Sequence, residues 1–274
     1  TAARIALEHF DPDQWRSALG SVSTPQAAIT FAIALARKGA ASDQAAIQKK
    51  LLGLSWNTLS RVEKLELLRA YQLSFLRLGE GSTEQRGKII SQLDESFPTA
   101  DEDSLVDREL ARVLIYLEAP GIVDRCVARM QSTPAADEQI HYAFCLREVA
   151  NGWNEKTRKA YFQWFYDIAS ARGGASFGGF IENIRQVAIK TLSDAERASL
   201  GDLIGPPPAP RDPLENLAPR SLVKKWTVAE LENVAATTDS GFDFENGKLM
   251  FAVAQCYKCH RFGGQGGIQG PDLS

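Results

Sequence analysis

The sequence predicts an all-α fold in three parts: stacked antiparallel helix pairs over residues 1–204, a proline-rich linker with a short helix over 205–240, and a small C-terminal segment over 241–274. Three observations predict it. Apolar residues recur at helical spacing behind recognisable N-caps, and no sustained apolar/polar alternation flanked by hairpin turns appears. Gly, Pro, Asn and Ser breaks punctuate the periodic stretches at short intervals. Composition then shifts abruptly at Gly205-Pro206-Pro207-Pro208-Ala209-Pro210.

Thr24 is placed to cap a helix with Pro25 in its first turn, and Ile29, Ile33, Leu35 and Ala36 lie beyond it at helical spacing. Ser60-x-x-Glu63 is a capping box ahead of Leu65, Leu68, Leu73 and Leu76, and Ser193-x-x-Glu196 is a second box. Between them lie amphipathic stretches near 83–95, 103–117, 119–131, 135–149 and 155–172. Gly79-Glu80-Gly81, Pro98, Ala119-Pro120-Gly121, Thr133-Pro134 and Asn151-Gly152 separate them. About ten helices with short connections are the pattern of an α-solenoid such as HEAT repeats. No repeat consensus can be written, and a compact helical bundle is the alternative.

Pro206 to Pro219 is too rich in proline for helix and reads as an extended, semi-rigid spacer. Thr227 and Glu230 then open a short helix running to Val234. Trp226 is expected to dock this segment onto a neighbouring domain.

Composition bounds the function. Apolar content of 44% and charged content of 24% are ordinary for a globular chain with a real core. A net charge of −3 argues against nucleic acid as a partner, because phosphate binding needs a basic face. Apolar runs such as Ala27–Ala36 are too short to span a bilayer, so no transmembrane segment is expected. The chain starts at Thr1 without a charged n-region and apolar h-region, so a signal peptide is expected to be absent or already removed, and the start fits a mature or excised fragment.

The strongest chemical signal is Cys256-Tyr257-Lys258-Cys259-His260. This is the spacing at which two thiols bond the vinyl groups of one porphyrin and the next histidine falls beneath the iron as axial ligand. Haem c, one per chain and covalently held, is the expected cofactor. The Gly-Gly-Gln-Gly-Gly-Ile-Gln-Gly run from Gly263 suits close approach of backbone to a flat macrocycle. Pro271 is placed to give a stiffly held carbonyl to the second nitrogen of His260. Upstream, Phe244–Gln255 reads as a helix, with Leu249, Met250 and Val253 apolar, that delivers Cys256. Three alternatives stand beside haem: a zinc site, a thioredoxin-like redox pair and a purely structural cysteine pair. Zinc wants a fourth ligand, and Cys126, Cys145, His9 and His141 are remote in sequence. A redox pair lacks its βαβ context.

Other residues invite blander readings. Cys126 and Cys145 lie on consecutive helices with offset positions, so buried free thiols are expected rather than a disulfide. His141 reads as a hydrogen-bonded packing residue and His9 as a turn residue. Trp153, Tyr161, Phe162, Trp164, Phe165 and Tyr166 read as core more readily than as a haem wall. The Gly173–Gly179 run has no P-loop ending and reads as a helix–helix connection, with Ser176 capping the next helix. No Ser-His-Asp order, HExxH or carboxylate constellation appears, so no catalytic residues are assigned.

Gly247-Lys248-Leu249-Met250-Phe251, the Cys256–Arg261 stretch, Gly263-Gly264, Gly266-Gly267 and Gly270-Pro271-Asp272-Leu273 together resemble the start of the haem-binding domain in large, multidomain secreted bacterial c-type cytochromes. Asp137–Ala143, Gly152-Trp153, Arg158–Phe162 and Gly173–Phe177 are similar to the HEAT-like segment preceding that domain. The resemblance covers roughly residues 100–274. It implies a periplasmic or exported location, where haem is attached, and iron ligation by His260. It also implies a redox partner protein or an upstream dehydrogenase domain, often a β-propeller, as electron source. Lys258 and Arg261 would guide docking at the haem edge. Domains of this kind continue past the proline to a second axial ligand, usually Met, and a closing helix. No Met or His occurs after His260, so residues 241–274 are expected to be the N-terminal part of such a domain, incomplete as they stand. The expected role is electron carrier rather than enzyme. The rival is a helical scaffold subunit of a larger complex whose haem segment is truncated or non-functional. A weaker third reading makes the chain part of a dehydrogenase.

Overall fold

The computed structural model describes residues 2–99, 103–170, 176–207, 224–235, 241, 243–262, 265–266 and 270–273. They are mostly helical, as the sequence predicts. By internal contacts the chain forms two compact units, Thr1–Tyr161 with Ile184–Gly201, and Phe162–Asn183 with Asp202–Ser274. Residues 162–183, which the sequence reading places in the helical domain, thus group with the second unit. Packing, and not the proline punctuation near 205, defines this division.

Thirteen α-helices lie among the described residues. The first eight are α1 (Ala2–Glu8), α2 (Pro25–Lys38), α3 (Gln44–Leu52), α4 (Arg61–Leu78), α5 (Thr83–Leu93), α6 (Ser104–Tyr116), α7 (Ile122–Ser132) and α8 (Ala136–Leu146). After them come α9 (Glu155–Asp167), α10 (Phe177–Lys190), α11 (Asp194–Leu200), α12 (Val228–Ala235) and α13 (Phe244–Val253).

Local chemistry sets many of their starts. Thr24 accepts from the Ala27 N–H with Pro25 in the first turn of α2. Both predicted capping boxes form, Ser60 with Glu63 on α4 and Ser193 with Glu196 on α11. The expected 119–131 helix begins only at Ile122, because Gly121 at its N-cap has φ +67. Phe177, Gly178 and Gly179 fall in the first turn of α10 instead of in a connection, while Gly173 to Ala175 lie outside the described residues. Residues 208–223 and 236–240 of the linker likewise lie outside them.

In the first unit α2, α4, α6 and α8 pack in sequence, with α3 against α2 and α4 and with α7 against α8. Polar ties repeat at each step of that row. Gln26 donates to Glu66 at 2.7 Å from α2 to α4, Gln72 to Glu109 at 2.5 Å from α4 to α6, and Arg108 pairs with Asp137 at 2.5 Å from α6 to α8. Beneath these ties Ile29, Leu35, Ile47, Leu51, Leu67, Leu68 and Tyr71 are fully buried. Burial of one such side chain contributes about 2 kcal/mol.

One buried polar cluster sits between α6, α7 and α8. Asp107 accepts from the Thr99 N–H at 2.7 Å, and Arg129 reaches Glu138 at 3.2 Å and Asp107 at 3.7 Å. Burial nonetheless pushes the Asp107 carboxyl above its ordinary range, against the Thr99 hydrogen bonds and Arg129.

In the second unit, β1 (Arg261–Phe262) pairs antiparallel with β2 (Gln265–Gly266), Arg261 opposite Gly266. Two-residue strands are too short to show alternation, which is why no strand signal is visible in the sequence. No helix among the described residues is long and apolar enough to cross a membrane.

Candidate functional site

Helix α13 leads into the cysteine motif. Its N-terminus is capped by Asp243, which accepts from the Asn246 N–H at 2.9 Å. The helix stops at Val253, short of the predicted Gln255, because Gln255 takes left-handed backbone at φ +62. That residue turns the chain into a single 3₁₀ turn over Cys256–Lys258. The Cys256 carbonyl then accepts two amides, from Cys259 at 3.2 Å and from His260 at 2.8 Å. Gln255 also takes a hydrogen bond from the Lys258 ammonium at 2.9 Å.

An aromatic cluster supports this turn from within. Tyr257 is buried and meets Phe251 of α13 edge to face, with ring centroids 4.6 Å apart, and Phe262 lies 6.0 Å from Phe251. Tyr257 therefore points inward while its neighbours face out. Lys258 and Cys259 are exposed, and Cys256 and His260 are half-buried. Both thiols are free.

Residues 270–273 return alongside the motif. The Gly270 amide donates to the Cys259 carbonyl at 2.7 Å and the Leu273 amide to the Arg261 carbonyl at 2.9 Å, with a parallel bridge between Arg261 and Asp272. This return brings the Pro271 carbonyl within 3.0 Å of Nδ1 of His260. A carbonyl only accepts, so Nδ1 is the donor of this pair, and in the neutral imidazole that leaves the Nε2 lone pair free.

Gly270 sits against the same ring. A Cβ built on it would lie 2.7 Å from Nδ1 and Cε1 of His260 and 3.1 Å from Cγ. From sequence, these glycines are expected to let backbone approach a macrocycle. At Gly270 the neighbour is the imidazole instead. Gly263, Gly264 and Gly267 lie outside the described residues.

These residues fit a c-type haem on their own chemistry. Two unpaired thiols flank a turn, and one imidazole has its Nδ1 committed to backbone and its Nε2 available to a metal. A tetrahedral zinc site fits less well. Among the described residues no group of three or more His, Cys, Asp or Glu side chains is arranged to hold a metal ion.

The remaining singled-out residues fall elsewhere. His141 lies 3.0 Å through Nε2 from the Arg108 carbonyl and 3.5 Å from Cys145 Sγ, and burial lowers its pKa. It is a packing residue, as expected. Cys126 is fully buried and Cys145 partly so, both free. His9 lies in the turn just after α1, its amide bonded to the Ala6 carbonyl. Tyr161, Phe162, Trp164 and Phe165 are all core residues. Trp226, expected to dock its segment, is 56% exposed, with the Lys224 ammonium 4.6 Å from its ring.

No protein-family model matches the chain, and comparison with curated proteins and with solved structures likewise returned no match.

Proposed function

We propose that this chain is an electron-transfer segment of the c-type cytochrome kind, exported from the cytoplasm, with a HEAT-like helical domain as its docking scaffold. Cys256 and Cys259 would hold the porphyrin through thioether bonds, and His260 would ligate the iron. Haem bound there supplies a one-electron ferric/ferrous couple. The chain's own residues do the rest. Pro271 fixes the His260 tautomer, the aromatic cluster of Phe251, Tyr257 and Phe262 holds the turn, and exposed Lys258 stands beside the motif for a redox partner or an upstream dehydrogenase domain.

The observation that carries the reading is the 3.0 Å contact between Nδ1 of His260 and the Pro271 carbonyl, because a metal-bound histidine needs that second partner. The row of α2, α4, α6 and α8, tied by polar pairs at each step, supports the solenoid form of the scaffold.

A pyridine haemochrome spectrum of chain matured in a haem-attaching periplasm tests it. The expected result is the α-band of c-type haem, lost in the double variant Cys256→Ala/Cys259→Ala. Colourless wild-type protein from such cells would contradict it.

A further inference from the structure

We infer that Gly270 is the positioning residue for His260: the absence of its side chain is what lets the Pro271 carbonyl reach Nδ1 and fix which ring nitrogen is free. For its consequence on iron this rests on the haem reading above. Its cause is geometric and stands without haem.

The residue preceding Pro271 has to pass the imidazole for the proline carbonyl to arrive. Gly270 does so with its amide anchored on the Cys259 carbonyl at 2.7 Å, so the backbone is held against the ring. A Cβ there would stand 2.7 Å from the very nitrogen that donates to Pro271. That separation is far inside van der Waals contact, which for carbon begins near about 3.5 Å. The ring cannot swing away without breaking its own hydrogen bond, and the backbone cannot retreat without losing the Cys259 bond.

Backbone conformation is not the reason for glycine here, since Gly270 does not occupy the left-handed region, unlike Gly79, Gly121 or Gly241. The three atoms nearest to an added Cβ all belong to the imidazole. The hydrogen bond that Gly270 permits makes Nε2 a stronger donor to a metal, which favours the ferric state.

The test compares wild type, Gly270→Ala and Gly247→Ala. Gly247 lies within α13, and an added Cβ there meets nothing within 4 Å, so it controls for glycine replacement near the motif. Long-range ¹⁵N–¹H NMR on the full haem-free chain reads the His260 tautomer, and a redox titration of the matured chain reads the midpoint potential. The expected result is a single Nδ1–H tautomer in wild type and Gly247→Ala, a tautomer mixture in Gly270→Ala, and an upward shift of potential in that variant only. Hydrogen exchange at the Leu273 amide, bonded to the Arg261 carbonyl, separates a displaced ring from a detached segment. Tautomer loss with that amide still protected supports the inference, and loss of both together overturns it. An unchanged tautomer and potential in Gly270→Ala also overturns it and leaves the haem reading intact. A wild-type chain that takes no haem defeats the haem reading, while the tautomer comparison still decides the role of Gly270.

Discussion

The Pro271 carbonyl oxygen lies 3.0 Å from Nδ1 of His260, eleven residues back along the chain. Two backbone bonds, Gly270 to Cys259 and Leu273 to Arg261, bracket that contact and hold the two segments together. The acceptor is therefore backbone, not side chain, and replacing proline removes rigidity without removing the carbonyl. If the chain carries haem as proposed, Pro271→Ala is expected to keep it and to lower the stability of the matured chain by about 0.5–1 kcal/mol, the usual worth of a compatible proline. Haem content and urea unfolding measure the two effects, and loss of haem would show that the pyrrolidine ring itself is needed.

Tyr257 presents the opposite case, a buried hydroxyl with no hydrogen-bond partner among the described residues. Burial raises its pKa. Since the ring is what packs on Phe251, Tyr257→Phe keeps the contact and removes the unpaired group. The expected effect is between neutral and about 1 kcal/mol stabilising in urea unfolding. Destabilisation beyond about 1 kcal/mol would reveal a partner for the hydroxyl.

Glu196 links the capping box of α11 to a buried cation. It accepts from Arg158 Nε at 2.7 Å and from the Ser193 hydroxyl and amide at 2.7 and 2.8 Å. Burial raises the carboxyl, but the bonds from Arg158 and Ser193 outweigh it and its pKa falls to about 2. The folded value lies below the unfolded one. Stability from this group is thus fully present above the ordinary glutamate range and is lost as pH falls toward about 2. Glu196→Gln is expected to cost about 3 kcal/mol at neutral pH, because Arg158 is left buried and uncompensated, and to flatten the acid limb of the stability profile. Thermal melts across that pH window check both.

The four thiols divide by environment. Burial pushes the Cys126 thiol well above the ordinary range and raises Cys145 as well, whereas Cys259 is exposed. Only the thiolate alkylates. Iodoacetamide on the native haem-free chain at mild alkaline pH is expected to label Cys259 first and Cys126 last, as peptide mass mapping would show. Rapid labelling of Cys126 would mean that the α7–α8 pair opens.

The parts of this architecture that were legible in the sequence are those decided within three or four residues. Thr24 with Pro25, Ser60 with Glu63 and Ser193 with Glu196 all form their caps, because a side chain and an amide three positions apart need no tertiary help. The end of α13 was not legible, since Gln255 carries none of the glycine signature of a left-handed residue. Nor was the contact of Gly270 with His260, which joins residues ten positions apart and leaves no local periodic signal. His141 was readable as a packing residue, but its partner, the Arg108 carbonyl, belongs to another helix and leaves no mark in local sequence. Trp226 was not legible because aromatic character predicts burial, whereas its ring is exposed with the Lys224 ammonium 4.6 Å away.

The proposed function requires that Cys256 and Cys259 bond one haem. Intact mass of the chain matured in a haem-attaching periplasm, with peptide mapping afterwards, tests it most directly. The expected result is one covalently added haem per chain, carried on the peptide that holds Cys256 and Cys259. A mass equal to the bare polypeptide, from cells that mature other c-type cytochromes normally, would contradict it.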